Sequence, residues 1–156
     1  MSAPGSALRS LQFDAADGSI GLGELTPRIG PGLRLDPARA GFGALPQQLR
    51  DLGNGYQWLQ LGGLQLQGVA AGVALCFHGQ ALSMVSLGVQ LPGAPMQEGW
   101  PTQAAIDAEV AFMRRALARA FGSPLTSGRA CFRWGEIWAV FDPKGFMASS
   151  GVRYGP

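Results

Sequence analysis

One long helical pattern decides how the rest of this chain has to fold. The segment 102–122, TQAAIDAEVAFMRRALARAFG, begins with Thr102, whose hydroxyl can accept a hydrogen bond from a free helix amide. It ends with Gly122, which readily takes the left-handed conformation. Apolar residues between them recur at spacings of three and four and form one stripe, which predicts an amphipathic helix packed on a sheet. The stripe consists of Ile106, Val110, Met113, Leu117 and Phe121.

Three arginines of this helix lie outside the stripe. They are Arg114, Arg115 and Arg119, and the last two are four residues apart without an acidic side chain in register. Like charges at that spacing destabilise an isolated helix by about 0.2–0.5 kcal/mol, partly offset near its negative C-terminal end. Two interpretations stay open, a solvated basic face or a surface that contacts an acidic partner.

The segment before the helix has the period-two pattern of β-strands. In VALCFHGQALSMVSLGVQL a first alternation ends at His78, a turn follows at Gly79, and a second alternation continues to Leu91. This predicts an antiparallel hairpin with one apolar face inward. The inward residues are Val73, Leu75, Phe77, Val85, Leu87, Val89 and Leu91.

The segment after the helix, CFRWGEIWAVFDPKG at 131–145, predicts a second hairpin. Taking Gly135-Glu136 as a two-residue type II′ loop pairs Arg133 with Trp138, which places a guanidinium over an indole. In this register one face packs under the helix and the other carries the polar residues. The first face holds Ala130, Phe132, Trp134, Ile137, Ala139 and Phe141, and the second Arg129, Arg133, Trp138 and Asp142.

DPKG then fits a type I turn with proline at its second position and glycine at its fourth. A third strand is expected from Phe146 to Tyr154, its register open between a glycine bulge and a tighter loop.

The first third of the chain has weaker patterns. SLQF and IGLGEL predict short strands around the turn DAADGS, and TPRIGPG predicts a loop. In LDPARAGF, Asp36 is expected to cap a short helix, with Pro37 at the first helical position. We expect this helix to resume in LPQQLRDLG and to end at Gly53.

These patterns together predict an α+β fold. We expect an antiparallel β-sheet of two β-meanders packed against one long amphipathic helix, plus one short helix. A length of 156 residues fits one domain, and 47% hydrophobic against 14% charged residues is enough material for a core. Residues 1–8 are expected to be disordered.

Composition narrows the classes of partner. With 12 basic and 10 acidic residues, the net charge of +2 is far from a nucleic-acid-binding footprint, although contacts through Trp138 and Arg133 stay a minor alternative. No stretch approaches the roughly 18 apolar residues of a membrane helix, and MSAPGSALRSLQF lacks the apolar region of a secretory signal. We expect a cytoplasmic protein that binds neither nucleic acid nor membrane.

The residues that could perform chemistry are few. A zinc site built from Cys76, His78 and Cys131 would match none of the usual ligand spacings. A cysteine–histidine dyad would have to use His78, the sole histidine, at a hairpin turn. GLGEL and GNGYQW lack the third glycine of a dinucleotide-binding loop. We therefore expect no catalytic residues, no cofactor and no metal, with a Cys76–Cys131 disulfide as a minor alternative.

Several segments in order carry a family resemblance: GELTPRIGPG, WLQLGG, VALCFHGQALSMVSL, a tryptophan before the helix, FRWGEIWAVFDPKG and a closing VRY. This order resembles small bacterial immunity proteins of secreted antibacterial toxins, such as those delivered by type VI secretion. The resemblance covers most of the chain, and WGEIWAVFDPKG is its most distinctive part. It implies a non-enzymatic inhibitor that binds a cognate toxin, with no catalytic residues to transfer.

Three functions stay open. The leading one is an immunity protein that covers a toxin's active site; the others are an adaptor or structural domain of a bacterial secretion or envelope system, and a small enzyme using Cys131 or His78. Whether the chain forms a homodimer is also open. Arginine and aromatic residues dominate interface hot spots, so the expected partner contacts are Arg114, Arg115, Arg119, Arg133 and Trp138, with a core position as the alternative for Trp138.

Overall fold

Twelve strands and two helices make up residues 7–155, the part of the chain that this computed structural model describes. Of the segment expected to be disordered, residues 1–6 lie outside the described part. The strands are β1 (Arg9–Phe13), β2 (Ile20–Leu22), β3 (Leu25–Ile29), β4 (Gln47–Asp51), β5 (Tyr56–Leu66), β6 (Val69–His78), β7 (Ala81–Val89), β8 (Met96–Gln97), β9 (Trp100–Pro101), β10 (Arg129–Phe132), β11 (Gly135–Asp142) and β12 (Met147–Tyr154). The helices are α1 (Leu35–Gly41) and α2 (Gln103–Phe121).

Ten of the strands form one sheet. Its order is β10-β11-β12-β7-β6-β5-β1-β2-β3, and β4 pairs with the first half of β5. All neighbours are antiparallel except β1 and β5, which run parallel, so the sheet is mixed. The α+β class is confirmed. The strands predicted as two meanders belong to a single sheet because β12 pairs with β7, from Ser150 opposite Leu87 to Arg153 opposite Met84.

Helix α2 begins and ends where its cap residues predict. The Thr102 hydroxyl accepts a hydrogen bond of 3.2 Å from the Ala105 amide, and Gly122 takes the left-handed conformation with φ 64°. The predicted apolar stripe is buried throughout. Its C-terminal part, from Met113 to Phe121, belongs to the same core as Ile137 and Val152, and α2 covers the inner face of β7, β11 and β12.

Helix α1 starts differently from the prediction. It begins at Leu35, one residue before the expected cap, and the Asp36 amide donates a hydrogen bond of 3.1 Å to the Gln80 side chain. The turn between β6 and β7 therefore supplies the cap that Asp36 was expected to provide. Asp36 lies instead within the first helical turn, where a negative charge is favourable.

Two further predictions for the first third of the chain are wrong. LPQQLRDLG does not resume the helix, because residues 47–51 gain backbone pairing with β5 and become β4. TPRIGPG is not wholly a loop, since Thr26–Ile29 belong to β3. A proline is tolerated in β3 because this strand lies at the edge of the sheet.

The hairpin of β10 and β11 has a different register from the predicted one. Phe132 pairs with Gly135, so the two-residue loop is Arg133-Trp134 rather than Gly135-Glu136. The loop moves because the Trp134 indole leaves the ladder and donates a hydrogen bond of 3.0 Å to the Ala15 carbonyl. The register changes by an even number of residues, so the predicted core face is preserved. The guanidinium over Trp138 belongs to Arg153 rather than Arg133, at 5.6 Å from the ring centroid.

The register of the last strand, left open by the sequence, is fixed by a four-residue connection. Asp142 lies opposite Met147, and the Lys144 amide donates a hydrogen bond of 3.0 Å to the Asp142 carboxylate. Phe146 takes a left-handed φ of 48° as the chain enters β12.

The two ends of the described chain meet across the core. The Tyr154 hydroxyl donates a hydrogen bond of 2.8 Å to the Gly18 carbonyl, and the Phe13 ring lies 5.4 Å from that of Phe121. The sheet and both helices thus contribute to one cluster of buried residues. Between residues 7 and 155, neither helix has the length and apolar content needed to span a membrane.

Candidate functional site

The face of the main sheet turned away from α2 is not covered by a helix. Residues along a strand alternate between faces, so the neighbours of the buried Leu75, Val85 and Val152 point away from the core. We call this surface the outer face. It carries Tyr56, Trp58, Gln60, Ala74, Cys76, His78, Met84, Ser86, Trp138 and Arg153.

One end of the outer face is aromatic. The Tyr56 and His78 rings stack with centroids 4.5 Å apart, and Tyr56 keeps 39% of its surface exposed. Trp58 and Met84 lie in the next row, joined across β6 by the strand register. Arg153 continues that row, 3.4 Å from the Glu136 carboxylate. Tyrosine, tryptophan, methionine and arginine are the residue types enriched in protein interfaces.

A groove of about 1190 Å³ lies beside this aromatic end. Its floor consists of small residues, with Gly72 opposite Gly88 and Ala74 opposite Ser86 across β6 and β7. Small side chains leave the strand backbone accessible, so the groove is a depression in the sheet rather than a gap between domains. Its walls include Pro46, Gln47 and Gln48 from the β4 side, and Leu91, Pro92, Met96, Pro101 and Met147 from the other.

Large apolar side chains stand exposed along one rim of the groove and on the ribbon of β8 and β9 that contributes to it. Met96 and Met147 are 58% and 51% exposed, and Trp100 is 74% exposed in the ribbon of β8 and β9. The ribbon is anchored on α2, because the Thr102 amide and hydroxyl both donate to the Pro95 carbonyl, at 3.2 and 3.1 Å. A fixed ribbon that presents such residues to solvent is typical of an interaction site.

Glu109 is the charged residue of the groove; the other lining residues in the described part of the chain are neutral. It lies on α2 and reaches the groove where the pairing of β12 with β7 ends, at Ser150 opposite Leu87. A Cβ atom on Gly88 would be 3.7 Å from its carboxylate oxygen. Partial burial raises the pKa of Glu109 above its ordinary value, and interaction with the Val89 amide opposes this shift. The carboxylate is therefore poorly solvated.

The structure places the predicted contact residues away from the groove, and none of the five lines it. Arg114 donates a hydrogen bond of 2.8 Å from Nε to the Ala139 carbonyl and so joins α2 to β11. Arg115 and Arg119 are exposed on α2, and Arg133 is exposed in the turn between β10 and β11. Whether these arginines contact a partner stays a prediction.

Trp138 takes the core-like alternative and is only 5% exposed. Its indole donates a hydrogen bond of 3.1 Å to the Ser149 hydroxyl, and it lies flat against Gly151 of the neighbouring strand. The physical reason is that a glycine in β12 leaves room for the ring, while Arg153 covers it from outside. Trp138 is thus a buried part of the outer face, covered by Arg153.

Sequence reasoning missed the residues that form the groove. Met96 belongs to a glycine- and proline-rich segment without apolar periodicity, and glycines such as Gly72 carry no side-chain signal. Glu109 did offer one, since it lies three residues after Ile106 and one before Val110 in the buried stripe. An acid at the flank of a buried stripe is expected to be partly desolvated.

The two thiols and the histidine do not form one cluster, because only Cys76 lies near His78, two residues before it on β6. Cys131 on β10 and His78 on β6 are separated by β11, β12 and β7. Four spacings of about 4.8 Å place their strands about 19 Å apart, too far for a catalytic dyad or a disulfide. Cys76 is buried, and burial raises the pKa of its thiol, which disfavours the nucleophilic thiolate. Residues 7–155 contain no group of three metal-ligating side chains.

Comparison with known proteins gives no match, whether to a family model, a curated protein or a solved structure. Functional inference for this chain therefore depends on the geometry of the outer face and the groove, together with the sequence resemblance described above.

Proposed function

We propose that this chain is an immunity protein that binds a cognate bacterial toxin with the outer face and the groove, and neutralises it without catalysis. The observation that carries the binding function is the rim of the groove, where Met96 and Met147 are 58% and 51% exposed, together with Trp100 of the β8–β9 ribbon, which is 74% exposed. Apolar side chains exposed beside a concave surface mark interaction sites. The toxin as the class of partner comes from the sequence resemblance.

The size of this surface suits a protein partner. Six neighbouring strands, from β4 to β11, span about 24 Å at about 4.8 Å per spacing. Seven residues along β5 add about 23 Å in the other direction at roughly 3.3 Å per residue. The projected area is roughly 550 Å² before the ribbon and side-chain relief are added, against the roughly 800 Å² that each partner contributes to a standard interface.

The rigidity of the surface supports the same proposal. Strands β5 and β6 are paired on both sides over most of their length, and β7, β11 and β12 over about half of theirs, so little backbone freedom is lost when a partner binds. Trp58, Met84 and Arg153 are the types of residue that supply hot spots at its centre. Inhibition follows from occlusion of the toxin surface, which requires a stable complex and no bond-making.

Co-expression with the product of the adjacent open reading frame tests this function. We expect rescued growth, a co-purifying complex, and slower amide exchange at β5, β6 and the β8–β9 ribbon within the complex. Met96→Ser, in the groove lining, and Trp100→Ala, in the β8–β9 ribbon, should weaken the complex, whereas Leu8→Ser, at a residue 41% exposed outside both the outer face and the groove lining, should not. Absence of both rescue and complex would contradict the proposal, and capture of secretion-machine components instead would support the adaptor function.

A further inference from the structure

We propose that the groove receives an arginine side chain from an extended segment of the partner, with Glu109 as its counter-ion. The inference rests on the proposed function in one respect, that the segment belongs to the bound partner. Three observations carry it: the charge of the groove, the position of Glu109 within it, and its size.

The negative charge of the groove favours a positively charged ligand. Glu109 is the charged residue among the described lining residues, and it forms no ion pair within residues 7–155, where both ion pairs involve Glu136. A half-buried carboxylate without a cation is electrostatically uncompensated. A basic side chain entering the groove would gain a partner that is less screened than a surface acid.

The position of Glu109 favours arginine over lysine. The carboxylate lies beside Gly88 at the end of the paired part of β7, where neither Gly88 nor the opposing Gly72 has a side chain to obstruct a planar group. A guanidinium can bind a carboxylate through two parallel hydrogen bonds and is more weakly hydrated than an ammonium group. Arginine is therefore the cation that loses the least hydration energy on entering a partly desolvated groove.

The size of the groove favours a segment over a free small molecule. Its volume of about 1190 Å³ exceeds the roughly 300–1,000 Å³ of typical small-molecule pockets. Leu91, Met96 and Met147 add apolar lining around the charged end. This combination fits an arginine flanked by apolar residues.

Two peptides provide the test: acetyl-Leu-Arg-Leu-amide, and the same peptide with citrulline, the neutral isostere of arginine. Each is titrated into the ¹⁵N-labelled chain, and amide shifts are followed by NMR. We expect the arginine peptide to shift the amides of Gly72, Gly88 and Glu109, with a Kd of about 1 mM. The citrulline peptide should bind about tenfold more weakly, the difference being the ion pair.

Two variants decide the assignment. Glu109→Gln keeps the shape and the acceptor oxygen but removes the charge, so it should reduce the affinity for the arginine peptide to that for citrulline. Glu109→Asp keeps the charge and should retain part of the preference. Equal affinity of both peptides for the parent chain, shifts confined to residues outside the groove, or no shift with the arginine peptide at about 20 mM would each overturn the proposal.

The same variants separate this inference from the proposed function. A toxin complex of unchanged affinity with Glu109→Gln, and no binding of the arginine peptide, would refute the arginine site and leave the immunity function standing. Selective binding of the arginine peptide, without any toxin complex, would refute the immunity function and leave the site standing.

Discussion

Gly72 is the position at which the groove can be filled without disturbing the protein. It is exposed on β6, its φ lies outside the left-handed region, and an added Cβ would have no atom within 4 Å. A glycine within a strand costs about 0.5–1 kcal/mol relative to alanine, and β-branched residues are favoured further. Gly72→Val should therefore raise the free energy of unfolding by about 0.5–1 kcal/mol.

The same substitution should weaken binding. The new side chain would occupy the floor of the groove opposite Gly88, where a bound segment would lie. Insertion of extra carbon atoms into a packed contact costs about 1–3 kcal/mol, which is a loss of affinity of roughly 5- to 150-fold. A more stable protein that binds less tightly is a signature that general destabilisation cannot produce.

The series Gly72→Ala, Gly72→Val and Gly72→Phe makes the test quantitative. Urea denaturation gives the stability of each variant, and calorimetric titration with the toxin from the adjacent gene gives its affinity. Affinity should fall with the size of the side chain, while Ser83→Val, on an exposed residue of β7 outside the groove lining, should bind like the parent. A folded Gly72→Phe variant of unchanged affinity would refute the groove as the binding site, and a destabilised Gly72→Val would refute the steric argument.

Three further predictions follow from contacts elsewhere in the structure. Arg114→Ala should lower the free energy of unfolding by about 1 kcal/mol, because it removes a hydrogen bond to a β11 carbonyl. The control Arg115→Ala should change the free energy of unfolding by less than about 0.5 kcal/mol. Equal losses for the two variants in urea denaturation would contradict this prediction. Gly151→Ala should cost about 1–3 kcal/mol or more, because its Cβ would overlap the Val85 carbonyl oxygen, and a thermal melt like that of the parent would refute the assigned register. Folding raises the pKa of Glu109 above its ordinary 4.5, so the contribution of this residue to stability is present at low pH and lost as the pH rises through the folded-state pKa. Glu109→Gln should therefore melt at a higher temperature than the parent at pH 7, and the difference in melting temperature should close as the pH falls below about 4.5. A difference that does not depend on pH would contradict this prediction.

The parts of the fold that the sequence predicted are those in which local signals agree. In α2 the cap residue, the apolar period and the terminal glycine all indicate the same helix. In β6 and β7 the alternation correctly predicts the buried residues from Val73 to Leu87, whereas Val89 and Leu91, which were also expected to face inward, are only partly buried. Both are decided within about twenty residues, so one sequence suffices to find them.

The parts of the fold that could not be predicted from the sequence are decided by contacts between residues that are distant in the chain. LPQQLRDLG has the spacing of a helix, but pairing with β5 decides in favour of a strand. The loop of the β10–β11 hairpin depends on a hydrogen bond between Trp134 and Ala15, residues 119 positions apart in the chain. Local turn chemistry does not reveal such a contact, although the predicted alternation did place Ala130, Phe132, Ile137 and Ala139 on the core side.

The groove could not be predicted from the sequence for a different reason. Exposed arginines and aromatic residues are visible in a sequence, which is why Arg115, Arg119 and Trp138 were singled out. A depression made by glycines in adjacent strands appears only when the register brings Gly72 opposite Gly88. Its charge depends on a third element, since Glu109 comes from α2.

Two groove residues work against the stability of the isolated chain. Gly72 could be replaced by a residue that suits a strand better, and Glu109 could be replaced by an uncharged isostere that keeps its acceptor oxygen. Neither change meets a steric obstacle, so folding alone accounts for neither residue. Residues that break local rules of stability concentrate at functional sites. Because the two lie on different elements, β6 and α2, yet open onto the same groove, binding there explains both at once.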